Sequence, residues 1–426
     1  MLFICPTLPR QYVMTDVYPP RGLTYIKSLD GLRAMAALMV VFFHSPVRLF
    51  SFQFGWAGVN LFFILSGFLI TRILINSKAL SFSRYSLYFY SRRSLRIFPL
   101  YFFYILLAVA LLFWLNRTMI VPGPELAQGV HDFRSNYPYL VTYTYNFQQV
   151  INFLHHRDYS SSLAFGHLWS LSVEEQFYLV FPFIVYFVPV KWLKRILAVT
   201  VILVPFLRLL FVLWMKQKTS DLFWIGDVLY ILTPFQLDAL SLGACLALFD
   251  FGAIVKRWKV WLCVAAGLLV ITGIVHLLVL PTYNVRIENS SLGFDNPVYH
   301  LINPIENFIL NNRYLYTIPL LNLFFGLLVL AAVNGKLWSR FFENRILVQI
   351  GKISYGIYIY HLFFSYLFRE MAFRIFGDLD SSNIFIQGLM MITYLALLFG
   401  IASISFYYFE MKFLRLKKKF SASPIQ

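Results

Sequence analysis

SLDGLRAMAALMVVFFHSP, residues 28–46, is an apolar run interrupted by Asp30 and Arg33 near its start and by His44 near its end. An ionisable group near the middle of a bilayer costs about 2.5–3.5 kcal/mol on insertion scales, so such groups are paired, solvated or functional. Arg33 and His44 are eleven positions apart. At about 100° per residue they return to within roughly 20° of one line along a helix, which puts both on one face. Their axial separation is about 16 Å, roughly half the hydrocarbon thickness of a bilayer.

The rest of the chain has the same character. Of its 426 residues, 59% are hydrophobic, 19% aromatic and only 13% charged, and mean hydropathy is +0.69. That is far from a soluble composition and gives the fold class, an all-α polytopic membrane protein. Apolar stretches long enough to span lie near 29–49, 56–76, 97–115, 167–190, 193–215, 228–249, 259–280, 314–335, 353–373 and 384–409, so about ten transmembrane helices are expected. Lys and Arg concentrate in every second connection, and Asp and Glu favour the others. This alternation predicts both termini on the cytoplasmic side. The chain then divides into a tail 1–28, a membrane domain 29–411 and a basic tail 412–426. A net charge of +17 reflects that topology and attraction to anionic lipid headgroups, not a nucleic-acid surface. Cys5, Cys245 and Cys263 give neither a disulfide framework nor metal-ligand spacing, and no metal is expected. The sequence contains no phosphate-cradling glycine loop, no HExxH and no internal repeat of the kind many transporters carry.

Several polar groups fall inside or beside the spans. FGHLWSLSVEEQFYLVFP (165–182) carries His167 and Glu174 seven residues apart on one face, with Glu175 about 100° away. The two carboxylates are either buried in a pairing with His44, His167 or an arginine, or stand at the external rim of the span. YSRRSLRIFPLYFF (90–103) puts Arg92, Arg93 and Arg96 at a cytoplasmic helix end. The i, i+3 pair Arg93 and Arg96 is suited to a phosphate, although topology alone also places arginines there. In GKISYGIYIYHLFF (351–364), Ser354, Tyr358 and His361 form one polar stripe on an apolar helix. FQLDALSLG (235–243) adds Asp238 inside a span, while Ser66 and Gly67 in FFILSGFLI (62–70) read as a packing surface. The external loop 116–166 is long enough to shape a site, with YLVTYTYNF (139–147) as a re-entrant or interfacial piece and Asn146 turned inward, or as an ordinary amphipathic loop.

Together these residues resemble the acyltransferase 3 family, over residues 28 to about 411. The pattern of a basic residue, ten positions and a histidine is met by Arg33 and His44. The second-span motif is met by FFILSGFLI, Arg-x-x-Arg by Arg93 and Arg96, Trp-Ser-Leu…Glu by HLWSLSVEEQFY, and Gly-x-x-Ser-Tyr…His by GKISYGIYIYH. Two positions depart from the pattern: Gln236 stands where the family usually has Arg two residues before Asp238, and Met411 follows Glu410 where Pro is frequent. Many members of the family also carry a C-terminal SGNH-type hydrolase domain. This sequence has none, so transfer is expected to be completed by the chain alone or with a separate acyl-transfer protein.

The resemblance implies an integral protein of the inner or plasma membrane that moves an acyl group, commonly acetyl, from cytoplasmic acyl-CoA to a hydroxyl of a carbohydrate or glycolipid. Acyl-CoA is then a donor substrate, and no cofactor is tightly bound. Arg33, Arg93 and Arg96 would hold its phosphates. His44, with an imidazole suited to accept a hydroxyl proton, would be the base or the acyl carrier. Glu174 or Asp238 would orient that imidazole, and Asp238, Ser354, Tyr358 and His361 would face the acceptor. A competing reading from another class is a secondary transporter or flippase for a sugar-linked or acylated substrate, with the carboxylates and histidines as a proton relay.

Overall fold

The computed structural model describes residues 24–118, 124–154, 162, 164–215, 217, 222–279, 316–334 and 339–420. Among them every regular element is helical and none is a strand. The tails 1–23 and 421–426, and the connection 280–315, lie outside the described residues.

The opening stretch forms α1 (Lys27–Phe43). It ends where its sequence ends it, because Ser45 precedes Pro46, and a residue before proline is disfavoured in the α region. His44 is the C-cap, its amide bonded to the Val40 carbonyl at 3.2 Å. Short connections lead into α2 (Gly58–Ser77) and the long α3 (Phe82–Thr118). The expected external loop is itself largely helical, as α4 (Pro124–Val141) and α5 (Tyr145–Leu154). Between these two helices Tyr143 takes a positive φ of 54°, a conformation that costs a non-glycine residue of order 1 kcal/mol or more.

α6 (Trp169–Phe187) and α7 (Val190–Met215) follow. α8 (Leu222–Ile231) and α9 (Leu237–Leu248) share one broken path, bent by 74° at the turn that holds Pro234. Gln236 serves that break, because its amide donates to the carbonyls of Leu229 and Tyr230 at 3.3 and 2.8 Å, which the interrupted helix leaves without intrahelical partners. Then come the short α10 (Gly252–Lys256), α11 (Trp258–Val279), α12 (Ile318–Val333), α13 (Ser339–Phe342), α14 (Arg345–Lys352) and α15 (Ser354–Phe376). The final helix α16 (Ile384–Ile404) loosens into a π-helix at Ser405–Glu410 before α17 (Met411–Leu416).

The core lies where α2 crosses α9. Glycine is required on both sides of that crossing: a Cβ at Gly67 would overlap the Leu240 carbonyl, and one at Gly243 would overlap the Ile64 carbonyl. The backbones therefore touch, as small residues allow in membrane helix pairs. α7 and α16 each give one face to this core and turn rows of Ile, Leu and Phe outward on the other, as a hydrocarbon surround permits.

The fold is that of a multi-pass membrane protein. By length and apolar composition four of the described helices suffice to cross a bilayer, and the bent pair makes a fifth. α11 and α12 contribute shorter apolar segments, Trp258–Thr272 and Ile318–Val333. A helix lies in each of the ten expected apolar stretches, but length and composition alone carry the count to five.

Candidate functional site

α1, α2, α3, α6 and α15 surround a cavity of about 250 Å³. Its mouth collects Arg33, Arg72, Arg92, Arg93, Arg96 and Lys417. The guanidinium groups are held largely by ring faces. Arg72 lies 5.5 Å from the Phe68 ring centroid, Arg92 5.2 Å from Tyr88, Arg93 5.4 Å from Tyr178 and Arg96 5.9 Å from Tyr355. All four are within cation–π range. Arg33 pairs with Asp30 at 2.5 Å, and the Tyr25 hydroxyl donates to the same carboxylate. Arg96 stands 4.0 Å from Glu410. Arg92 donates to the Lys417 carbonyl at 3.1 Å, which draws the C-terminal segment onto the mouth.

Glu174 lines the cavity further in. Its two oxygens accept from the hydroxyls of Ser66 and Tyr178, each at 2.8 Å. The deep end is made by Ser170, Ser354 and Tyr358. The Tyr358 hydroxyl donates to the His167 carbonyl at 3.0 Å and is also hydrogen-bonded to Ser170.

Behind Tyr358 three imidazoles meet. The His361 ring lies 5.0 Å from that of His44, 5.1 Å from that of His167 and 5.4 Å from the Tyr358 ring. His361 is fully buried, whereas His44 is half-buried and is not among the residues lining the cavity. The Ser365 hydroxyl donates to the His44 carbonyl at 2.6 Å, tying the end of α1 to α15. Among the described residues no group of three or more His, Cys, Asp or Glu is arranged to hold a metal ion.

The predicted site residues divide accordingly. Arg33, Arg93, Arg96, Glu174, Ser354 and Tyr358 line the cavity, and His44 and His361 lie past its deep end. Asp238 is elsewhere. Both of its oxygens are taken by Arg208 of α7, at 2.8 and 2.7 Å, and Asn322 of α12 adds a donor at 3.1 Å. A carboxylate buried at 2% exposure needs a cation, and Arg208, at 0%, supplies it. Glu174 and Asp238, expected to orient His44, take these other partners, and among the described residues neither carboxylate bonds an imidazole.

Asn146 points inward as expected. It donates to Thr233 and accepts from Gln176, each at 2.9 Å. Cavity residues that escape the sequence reading include Arg72, Tyr88, Tyr178 and Lys417. Ser66, expected to serve packing, binds Glu174 while its neighbour Gly67 does the packing. A polar residue one position from a small one, and an arginine inside an apolar run, were the available signals.

A bundle of apolar helices enclosing a cation-lined cavity, with imidazoles behind it, is the frame of an integral membrane protein. Its family follows from the sequence: the acyltransferase-domain family matches residues 26–410, and the chain belongs to it. Similar curated proteins include O-acetyltransferase OatA from the Staphylococcus aureus strains NCTC 8325 / PS 47, COL and MRSA252. Each is 28% identical over 352 residues, covering 82% of this chain and 51% of the relative. The chain thus spans about half the length of these relatives. No solved structure matches it.

Proposed function

We propose that this chain is a membrane O-acyltransferase that moves an acyl group, commonly acetyl, from acyl-CoA to a hydroxyl of a carbohydrate or glycolipid. The observation that carries the reading is the cavity: six cationic residues crowd one end, and a tyrosine backed by histidines closes the other. Coenzyme A presents a diphosphate and a third phosphate on its nucleotide end. Arginines match such groups with paired, charge-assisted hydrogen bonds. The slender pantetheine arm suits the apolar walls formed by Val59, Phe62 and Phe63. The names of the OatA relatives support acetyl as the group and oxygen as the acceptor atom.

The basic mouth faces the cytoplasm, in keeping with the charge asymmetry of the connections. Phosphates rest on Arg33, Arg93 and Arg96, with Arg72, Arg92 and Lys417 completing the ring. The thioester reaches the deep end at Ser170 and Tyr358, and the Tyr358 ring swings aside to admit it to the histidines. His44 takes the proton of the acceptor hydroxyl as that oxygen attacks the thioester carbonyl. The carbon–sulfur bond breaks, and the departing thiolate receives the proton from the His44 imidazolium. General-base help of this kind is typically worth about 10²–10⁴ in rate. A separate protein completes delivery if the acceptor lies beyond the membrane surface.

The test supplies radiolabelled acetyl-CoA to inside-out vesicles containing the protein. Label fixed covalently on carbohydrate is expected, and His44→Ala should abolish it with membrane insertion unchanged. Near-wild-type labelling by that variant removes His44 from the reaction, and acetyl-independent movement of a sugar-linked substrate replaces the enzyme with a transporter.

A further inference from the structure

We propose that His361 is a positioning residue: together with the Val40 carbonyl it fixes the tautomer of His44, so that the basic lone pair of His44 lies on Nε2. This rests on the reading of His44 as the base and replaces substrate contact as the role of His361.

The argument is a count of donors and acceptors around three nitrogens. His361 Nδ1 lies 2.6 Å from the Tyr358 carbonyl oxygen. A carbonyl oxygen only accepts, so this nitrogen carries a proton. In a neutral ring the other nitrogen, Nε2, then holds the lone pair. His361 Nε2 lies 3.2 Å from His44 Nδ1, and that contact is a hydrogen bond only if His44 donates. The Val40 carbonyl, 3.1 Å from the same His44 Nδ1, makes the same demand independently. A doubly protonated His361 would reverse the direction and force His44 Nδ1 to accept, which would set a lone pair against the Val40 oxygen. Both neighbours of His44 Nδ1 are therefore acceptors, and in the neutral ring Nε2 is left as the base.

His167 stands outside this line. Its Nε2 faces the Ile359 carbonyl at 3.0 Å, and it meets the His361 ring at an interplanar angle of 77°, so it packs against His361 and gives it no proton. The reaction uses the line directly. As the acceptor oxygen forms its bond to the acyl carbon, its proton passes to His44 Nε2. The resulting imidazolium keeps its Nδ1 proton directed at His361 Nε2 and the Val40 oxygen, and the Nε2 proton leaves with the thiolate. The wrong tautomer would present an N–H to the hydroxyl and could not accept its proton. In serine proteases a comparable loss of tautomer control lowers the rate about 10⁴-fold.

Two measurements on the full-length protein in lipid nanodiscs test this. In the first, ¹⁵N-histidine spectra are compared with those of His44→Ala to identify the His44 signals. A protonated Nδ1 and bare Nε2 are expected in the wild type, with the pattern kept in His361→Gln, whose amide oxygen still accepts, and mixed with the other tautomer in His361→Phe, where the Val40 carbonyl alone still holds the Nδ1 proton. A bare Nδ1 in the wild type overturns the proposal. In the second, radiolabelled acetyl-CoA is the probe and labelling of membrane carbohydrate the readout. His361→Phe should lower kcat by about 10²-fold, within the range of general-base catalysis, leave the KM for acetyl-CoA within about twofold and be rescued at least about tenfold by Gln. Unchanged kcat in His361→Phe, or equal loss in Phe and Gln, overturns it. The spectra do not depend on turnover, so full activity in His44→Ala would end the general-base reading and leave the tautomer result standing. If His361→Phe fails to fold, the wild-type spectrum and the Gln variant decide.

Discussion

Two clusters of charge lie inside this helical bundle, and they are built on opposite plans. Around the cavity, six cationic residues face the carboxylates of Asp30, Glu174 and Glu410, and four of the guanidinium groups rest on aromatic rings. Between α7 and α9, one guanidinium meets one carboxylate through two short bonds, with Asn322 as a third donor. The first cluster opens on a cavity, and Arg33 keeps 26% of its side chain exposed; Arg208 is sealed at 0%. Sealing is tolerable only for a matched pair, since an uncompensated buried charge carries a heavy desolvation cost. A surplus of cations, by contrast, needs water or an anion within reach. The imbalance is what the proposed anionic substrate would relieve, and the balance marks a joint between helices.

Removing one partner from each cluster breaks the comparison apart. Asp238→Ala should cost about 3–5 kcal/mol, because Arg208 would stay buried without its carboxylate; thermal unfolding in detergent reads the loss. Replacing Arg208 and Asp238 together by apolar residues should recover much of it, and failure to recover would move this pair from packing to function. Arg93→Ala should leave unfolding nearly unchanged and raise the KM for acetyl-CoA by roughly tenfold or more, since a charge-assisted hydrogen bond is worth about 1.5–3 kcal/mol. A loss of stability with unchanged KM would place Arg93 with the joint. The smallest effect is expected at the surface, where Asp380 bridges Arg48 and Arg369 at 3.2 and 2.8 Å. Asp380→Asn should shift stability by no more than about 1 kcal/mol, and less at high salt.

The class of fold and much of the cavity were legible in the chain, because each rested on a local pattern. Hydropathy exposes apolar helices, and the spacings within Arg33…His44, Arg93…Arg96 and Ser354…Tyr358…His361 fix which groups share a helix face. What stayed hidden was pairing between helices. Asp238 looked like a site residue because its cation lies thirty positions earlier, in a run whose only sign was a lone arginine among leucines. Gln236 looked like a loss, since it stands where a basic residue was expected, yet it ties off a helix break while Arg208 supplies the charge. The meeting of His44, His167 and His361 draws on three distant segments, and no single spacing encodes it. Lys417 belongs to a stretch that reads as a solvated tail. A bond from the Arg92 guanidinium to the Lys417 carbonyl holds it against the mouth.

Tyr358 has a consequence beyond the reaction. Its ring stands between the cavity and the histidines, with its oxygen engaged by Ser170 and by the His167 carbonyl. A membrane that stores energy as an ion gradient cannot tolerate a standing column of water through one of its proteins. For the polar cargo proposed here, this placement would keep the protein electrically tight between turnovers, with the Tyr358 ring as part of the stopper.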